Sequence, residues 1–176
     1  MNRKHSYYLL CSVLLVMMSH CSLGQKQKSM NLKTNNPYYN REDTTHLKVS
    51  NDEWKRILSA EIYHVAREQG TEYAFTGTYW KTDTKGDYYC AVCGNHLFRS
   101  DAKFASSCGW PSFFEPIRHN SVLYKEDTSY GMQRIEVECA RCNSHLGHIF
   151  DDGPAPTYKR FCMNSIVLDF VALDEK

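Results

Sequence analysis

Gln133-Arg134-Ile135-Glu136-Val137-Glu138-Cys139-Ala140-Arg141-Cys142 reads as a strand running into a tight turn. Ile135, Val137 and Cys139 alternate with Arg134, Glu136 and Glu138, the two-residue period of a strand with one apolar and one polar face. Cys139 and Cys142 then bring two sulfurs together across a knuckle, and Cys90-Ala91-Val92-Cys93 repeats that device upstream. Cys90, Cys93, Cys139 and Cys142 form a four-thiolate set suited to tetrahedral zinc, structural because no position stays open for substrate. The gap between the pairs is longer than in a compact zinc ribbon, so the metal would clamp two distant hairpins. The competing chemistry is two disulfides or a redox Cys-x-x-Cys. A redox motif of that spacing usually starts a helix, whereas both of these follow strand-like segments. His145, just past Cys142, is an alternative ligand, but four thiolates already complete the set.

The fold follows from the same alternation. Gly77, Gly86, Gly94, Gly109, Gly131, Gly147 and Gly153 punctuate the chain at intervals suited to short strands. No helix-length pattern separates these strands, so the spacing predicts a mainly β fold, an antiparallel, partly closed core, rather than a parallel sheet. Upstream, Ser50-Asn51-Asp52-Glu53 has the form of a capping box. Trp54, Ile57, Leu58, Ile62 and Val65 follow at helical spacing up to Gly70, which predicts one amphipathic packing helix at the N-terminal edge.

The first residues read as an address. Arg3 and Lys4 precede an apolar run from Tyr7 to Met18, and Ser22 and Gly24 suit cleavage before Gln25. A lipoprotein anchored through Cys21 is the alternative, made less attractive by bulky His20. Either makes the protein an exported one, periplasmic or secreted. Residues 25–49, rich in Lys, Asn, Gln, Thr and Ser, are expected to be a flexible linker, and residues 50–176 one domain. A formal net charge of +1 without a Lys/Arg run argues against nucleic acid or an anionic membrane as partner.

Loss of the leader leaves six cysteines, two of them outside the knuckles: Cys108 and Cys162. Arg160-Phe161-Cys162-Met163-Asn164-Ser165 runs into Ile166-Val167-Leu168-Asp169-Phe170, read as one strand that puts Arg160, Cys162, Asn164, Ile166, Leu168 and Phe170 on one face. A guanidinium two residues from a thiol favours the thiolate. Cys108 lies in Ser106-Ser107-Cys108-Gly109-Trp110-Pro111-Ser112-Phe113. One reactive thiol and a partner suffice for a reaction ending in a disulfide; a static structural disulfide between them is the other reading. His145 and His148 in His-Leu-Gly-His-Ile-Phe, 145–150, are suited to proton transfer near neutral pH. Trp110, Phe113 and Phe114 are core residues or an apolar box for a small alkyl group.

Taken together these motifs resemble the B-type methionine sulfoxide reductases, over roughly Asp52 to Phe170. The resemblance is carried by both Cys-x-x-Cys pairs, Cys-Gly-Trp-Pro-Ser-Phe at 108–113, Gly-Met-Gln-Arg-Ile-Glu at 131–136, and the stretches 145–150 and 160–165. Ser107, Phe161 and Met163 depart from the usual glycine, tyrosine and smaller aliphatic residue, and none removes a group the chemistry uses. The resemblance implies a β-tent fold, a structural zinc and reduction of the R epimer of methionine sulfoxide in oxidised proteins or peptides. It implies Cys162 as nucleophile, Cys108 as resolving cysteine and Trp110 against the methyl group, with Phe150 also in the substrate site. His145, His148 and Asn164 would bind or protonate the oxygen, with Arg160 beside the thiol. A thioredoxin-like protein would reduce the resulting disulfide, and the expected state is a monomer. A non-catalytic zinc-stapled binding module and a general thiol-disulfide oxidoreductase are the alternative functions.

Overall fold

Ser50 caps α1 (Asn51–Ile57), its side chain accepting from the Glu53 backbone N–H as a capping box requires. The helix does not run on to Gly70. After Leu58, extended Ser59 caps a second helix, α2 (Ala60–Glu68), by accepting from the Ile62 N–H. The expected single helix is therefore two, because a serine hydroxyl serves the free N–H groups of a new first turn better than a helix interior. These elements belong to a computed structural model that describes residues 35–173. The chain divides into Met1–Pro37 and Tyr38–Lys176, and the architecture is that of the second unit. The leader, Cys21 and residues 25–34 of the expected linker lie outside the described residues.

The strands are β1 (Gly86–Cys90), β2 (His96–Arg99), β3 (Lys103–Phe104), β4 (Ser112–Phe113), β5 (Val122–Asp127), β6 (Arg134–Cys139), β7 (His145–Phe150), β8 (Arg160–Met163) and β9 (Leu168–Ala172). They form two open sheets, β2-β1-β9 and β3-β4-β8-β7-β6-β5. Every pairing is antiparallel, as the strand spacing predicts. One cysteine pair closes the β1–β2 hairpin of the first sheet and the other the β6–β7 hairpin of the second.

The stretch from Arg160 to Phe170 is not one strand. β8 ends at Met163, Ser165–Val167 form a 3-10 turn, and β9 continues in the other sheet. The cause is Glu72, whose carboxylate accepts from the N–H groups of Ser165 at 2.6 Å and Ile166 at 3.0 Å. Those donors are then lost to any strand partner. Within β8 the expected alternation holds: Phe161 and Met163 are buried while Arg160 and Cys162 are half-buried. Beyond the turn the phase resets, so Val167, Leu168 and Val171 are buried and Phe170 only half-buried. The face shared by Arg160 and Cys162 does not continue to Ile166, Leu168 and Phe170.

Under β8 lies the aromatic core. Phe98 stacks on Phe113 with ring centroids 4.4 Å apart, Tyr88 meets Phe113 edge-on at 5.0 Å, and Phe161 lies 5.8 Å from Phe98. Phe113 is thus a core residue, not part of a substrate box. Truncating such a buried ring to Ala costs about 3–5 kcal/mol, so the strand that carries Cys162 rests on a stiff floor.

Residues 38–49 hold no helix or strand, yet they are tied down. Asn40 N–H donates to the Cys93 carbonyl at 3.0 Å and Leu47 N–H to the Arg141 carbonyl at 2.7 Å. The Arg141 guanidinium donates to the Tyr38 carbonyl at 2.8 Å and to Asp43 at 2.7 Å. Tyr38, Leu47 and Val49 pack against the core, which the polar average of this stretch concealed. This part of the expected linker is a strap.

Candidate active site

β8 lies between β4 and β7, and the register sets Cys162 opposite Ser112 on one side and His148 on the other. The Cys108 loop leads into β4, which brings the Cys108 sulfur to 3.5 Å from the Cys162 sulfur and 3.4 Å from the Ser112 hydroxyl. Both cysteines are free thiols. Cys162 opens on a cleft of about 130 Å³ lined by Trp110, Arg134, His148, Phe150 and Asn164 among others. Most of the sequence-expected site residues therefore meet at one place.

The two thiols divide their charge unequally. Burial works against a Cys108 thiolate, but hydrogen bonds from Ser106, Ser112 and Cys162 outweigh it and bring the group down to about 7. Cys162 is pushed up to about 12, first by burial and then by the charge and hydrogen bond of Cys108. Arg160 lowers Cys162, as the sequence suggests, but by less than those effects raise it. The Arg160 guanidinium is also committed elsewhere, to both oxygens of Asp152 at 2.8 Å and over the Phe150 ring at 4.4 Å. With both cysteines reduced, burial and hydrogen bonding therefore favour a thiolate on Cys108 over one on Cys162.

His145 and His148 are three residues apart on a strand, so simple alternation would put them on opposite faces. A register shift at Val137–Glu138 inserts one extra residue in β7, and the two rings come to 5.4 Å. Each imidazole meets a carboxylate at 2.7 Å: His145 Nδ1 with Glu136 and His148 Nε2 with Asp127. Burial holds both imidazoles below their ordinary pKa, against the pull of these partners. His148 lines the Cys162 cleft, whereas His145 is fully buried behind it with no partner at Nε2. Glu136, on the polar side of β6, is itself buried and accepts from the Gln69 amide at 2.9 Å.

Asn164 is less free than the resemblance implies. Its Oδ1 accepts from the Glu72 N–H at 3.0 Å and its Nδ2 donates to the Leu146 carbonyl at 3.1 Å, so the amide joins β7 to the 71–72 segment. The Trp110 indole Nε1 donates to the Glu72 carbonyl at 3.2 Å, which fixes the ring plane in the cleft. Glu72 organises the site through both main-chain and side-chain atoms, yet it stands alone in an irregular stretch with no motif to mark it. Arg134, Glu136 and Asp127 have no role in the sequence reading; the polar half of the β6 pattern is the one signal for Arg134 and Glu136, and Asp127, at the end of β5, has none.

Cys90, Cys93, Cys139 and Cys142 are all buried, and their sulfurs lie within 4.8 Å of one another. The Cys90–Cys142 and Cys93–Cys139 separations are 3.7 and 3.6 Å. Sulfurs at about 2.3 Å from a central zinc would stand about 3.8 Å apart, so the set fits that ion. Burial pushes the Cys90 and Cys142 thiols well up, and a cation is what would let all four ionise together. His145 lies outside the group, held by Glu136.

Comparison with known proteins agrees with this geometry. The SelR domain family matches residues 58–172. A protein named peptide methionine sulfoxide reductase MsrB from Methanosarcina barkeri is 56% identical over 126 residues, covering 72% of this chain and 89% of the relative. A protein of the same name from Methanosarcina mazei is 52% identical over 70% of this chain and 89% of its own length. One from Leptospira interrogans is 49% identical over 69% of this chain and 92% of its own length.

Proposed function

The chain belongs to the SelR domain family and is an oxidoreductase that reduces methionine sulfoxide, and on that premise we propose the division of labour among its residues. Cys162 attacks the sulfoxide sulfur, and Cys108 resolves the product. The observation that carries this reading is the 3.5 Å approach of the free Cys108 thiol to Cys162, which itself lines a cleft that also holds an indole and an imidazole. Cys162 gives up its proton as it attacks, and the attacking thiolate forms beside Arg160, whose charge favours it. As sulfur attacks sulfur, the sulfoxide S–O bond weakens and negative charge grows on oxygen. His148 protonates that oxygen, with His145 behind it. The hydroxyl passes from the substrate sulfur to the Cys162 sulfur as the new sulfur–sulfur bond breaks, so the thioether leaves as methionine and Cys162 becomes a sulfenic acid. Cys108 then displaces the hydroxyl as water and the two sulfurs join. Two thiols are oxidised for each sulfoxide reduced, so the electrons balance.

Trp110 and Phe150 give the cleft an apolar wall for the methyl group; selection of the R epimer from oxidised polypeptides is the reading taken from the resemblance. The disulfide calls for an external dithiol, and a thioredoxin-like protein fits that chemistry. Zinc at the four buried cysteines staples the hairpins and takes no part in the steps. The basic and apolar leader of the sequence supports export, with Cys21 lipidation as the alternative outcome of N-terminal analysis of the mature protein.

Equimolar enzyme and a peptide carrying each resolved sulfoxide epimer, without reductant, test the reading. Wild type and Cys108→Ser should release one methionine from the R epimer only, and Cys162→Ser none. Methionine released by Cys162→Ser but not by Cys108→Ser would reverse the two roles. Loss of two thiols on turnover separates the enzyme from a module with a permanent disulfide, and sulfoxide dependence separates it from a general thiol-disulfide oxidoreductase.

A further inference from the structure

We propose that Asp127 is a positioning residue for sulfoxide reduction, holding the His148 imidazole by Nε2 so that Nδ1 is the nitrogen left to protonate the substrate oxygen. Asp127 ends β5, two strands away from β7, and stands opposite Arg134 in the β5–β6 register. Its carboxylate accepts from Ser129 N–H at 2.9 Å, Ser129 Oγ at 2.6 Å, Arg134 Nη2 at 2.6 Å and His148 Nε2 at 2.7 Å. Four donors fix the carboxylate and hold it ionised, well below the usual carboxylate range, with Ser129 the largest cause. An ionised carboxylate can only accept, so the proton of that bond sits on Nε2. Neutral His148 then has its lone pair on Nδ1, and a second proton binds there. Neither nitrogen is free to exchange roles while Asp127 stays in place.

The same pairing recurs behind it, where Glu136 holds His145 by Nδ1. The groups that face His148 are Asp127 on β5, Arg134 and Glu136 on β6, His145 on β7 and Cys162 on β8. His64 and Glu68 of α2 line the adjoining cleft. Of those that act on the imidazole, burial, Arg134 and His145 disfavour its charged form, and Asp127 favours it. The sign follows: His148 gives a proton only while charged, so methionine release falls as pH rises through its pKa. Without the Asp127 charge that fall comes at lower pH.

The inference rests on the reading of His148 as proton donor. Its test is single-turnover methionine release across pH by wild type, Asp127→Asn, His148→Ala and the double variant, with the His148 titration followed by NMR. Asp127→Asn should slow release on the order of tenfold or more, a fraction of what general acid catalysis contributes. Its alkaline limb and its imidazole pKa should both move to lower pH. In the His148→Ala background the second change should cost nothing further. An unmoved limb and imidazole pKa would overturn the inference, as would an equal loss in the His148→Ala background, which would route the effect through Arg134. His148→Ala with the wild-type rate would instead remove the donor reading itself. If Asp127→Asn does not fold, Asp127→Ser is judged by the same two readouts.

Discussion

Burial and the neighbouring Cys108 charge both oppose ionisation of Cys162. Removing Cys108 removes the charge and the hydrogen bond while leaving Arg160, so Cys108→Ser should lower the Cys162 pKa below about 12. Arg160→Met in that background should raise it again. Thiolate absorbance followed against pH reads both, and a Cys162 that titrates no lower in Cys108→Ser would contradict the account. Gly147 shows the steric side of the same site. A Cβ there would stand 2.0 Å from the Cys162 carbonyl oxygen, so β7 and β8 approach closely only because the position has no side chain. Gly147→Ala should destabilise by about 1–3 kcal/mol through overpacking, read as a fall in the urea midpoint, and should displace Cys162 enough to lower methionine release.

Elements fix where these residues stand. Ser59 separates α1 from α2 by capping the latter, so Ser59→Ala should cost about 1 kcal/mol with activity retained, as chemical denaturation and the sulfoxide assay would report. A gain in stability would mean that the continuous helix is the better structure. The sequence misses that break because Ile57, Leu58 and Ile62 keep helical spacing across it, and periodicity does not register a cap inside an apolar stripe. The strand expectation for 160–170 fails similarly, since the Glu72 carboxylate that turns the chain is remote in sequence. Alternation in β8, both cysteine pairs and the Cys108–Cys162 pair were legible, because each rests on local period or residue chemistry; in β6 the expected alternation fails at its start, where Ile135 is exposed and Glu136 buried. His145 and His148 were legible as chemistry but not as neighbours, because the β7 bulge that joins them leaves no mark in His-Leu-Gly-His.

On the scale of the whole molecule, the four-cysteine group links the hairpins of two sheets, and the strap of residues 38–49 crosses both knuckles. Arg141 stands inside the second knuckle with its guanidinium buried, and it donates to Asp43, to the Tyr38 carbonyl and, by a short bond, to the Cys93 carbonyl in the first. One side chain thus ties strap, first knuckle and second knuckle together. Asn40 and Leu47 add backbone bonds to Cys93 and Arg141. Opening the thiolate cage requires the hairpins to part, and these bonds oppose that motion without touching a metal. Outer partners of this kind typically change metal affinity by about 10–100-fold. Arg141→Met keeps the apolar stem and removes the donors, so zinc-loaded Arg141→Met should release metal to a chromogenic chelator on the order of tenfold faster than wild type. Deletion of residues 1–49 should do the same, while Asp43→Asn, which keeps an acceptor, should have a smaller effect. Equal release from all of these proteins would show that the sulfur cage alone retains the ion, and the strap would then be packing without consequence for the metal.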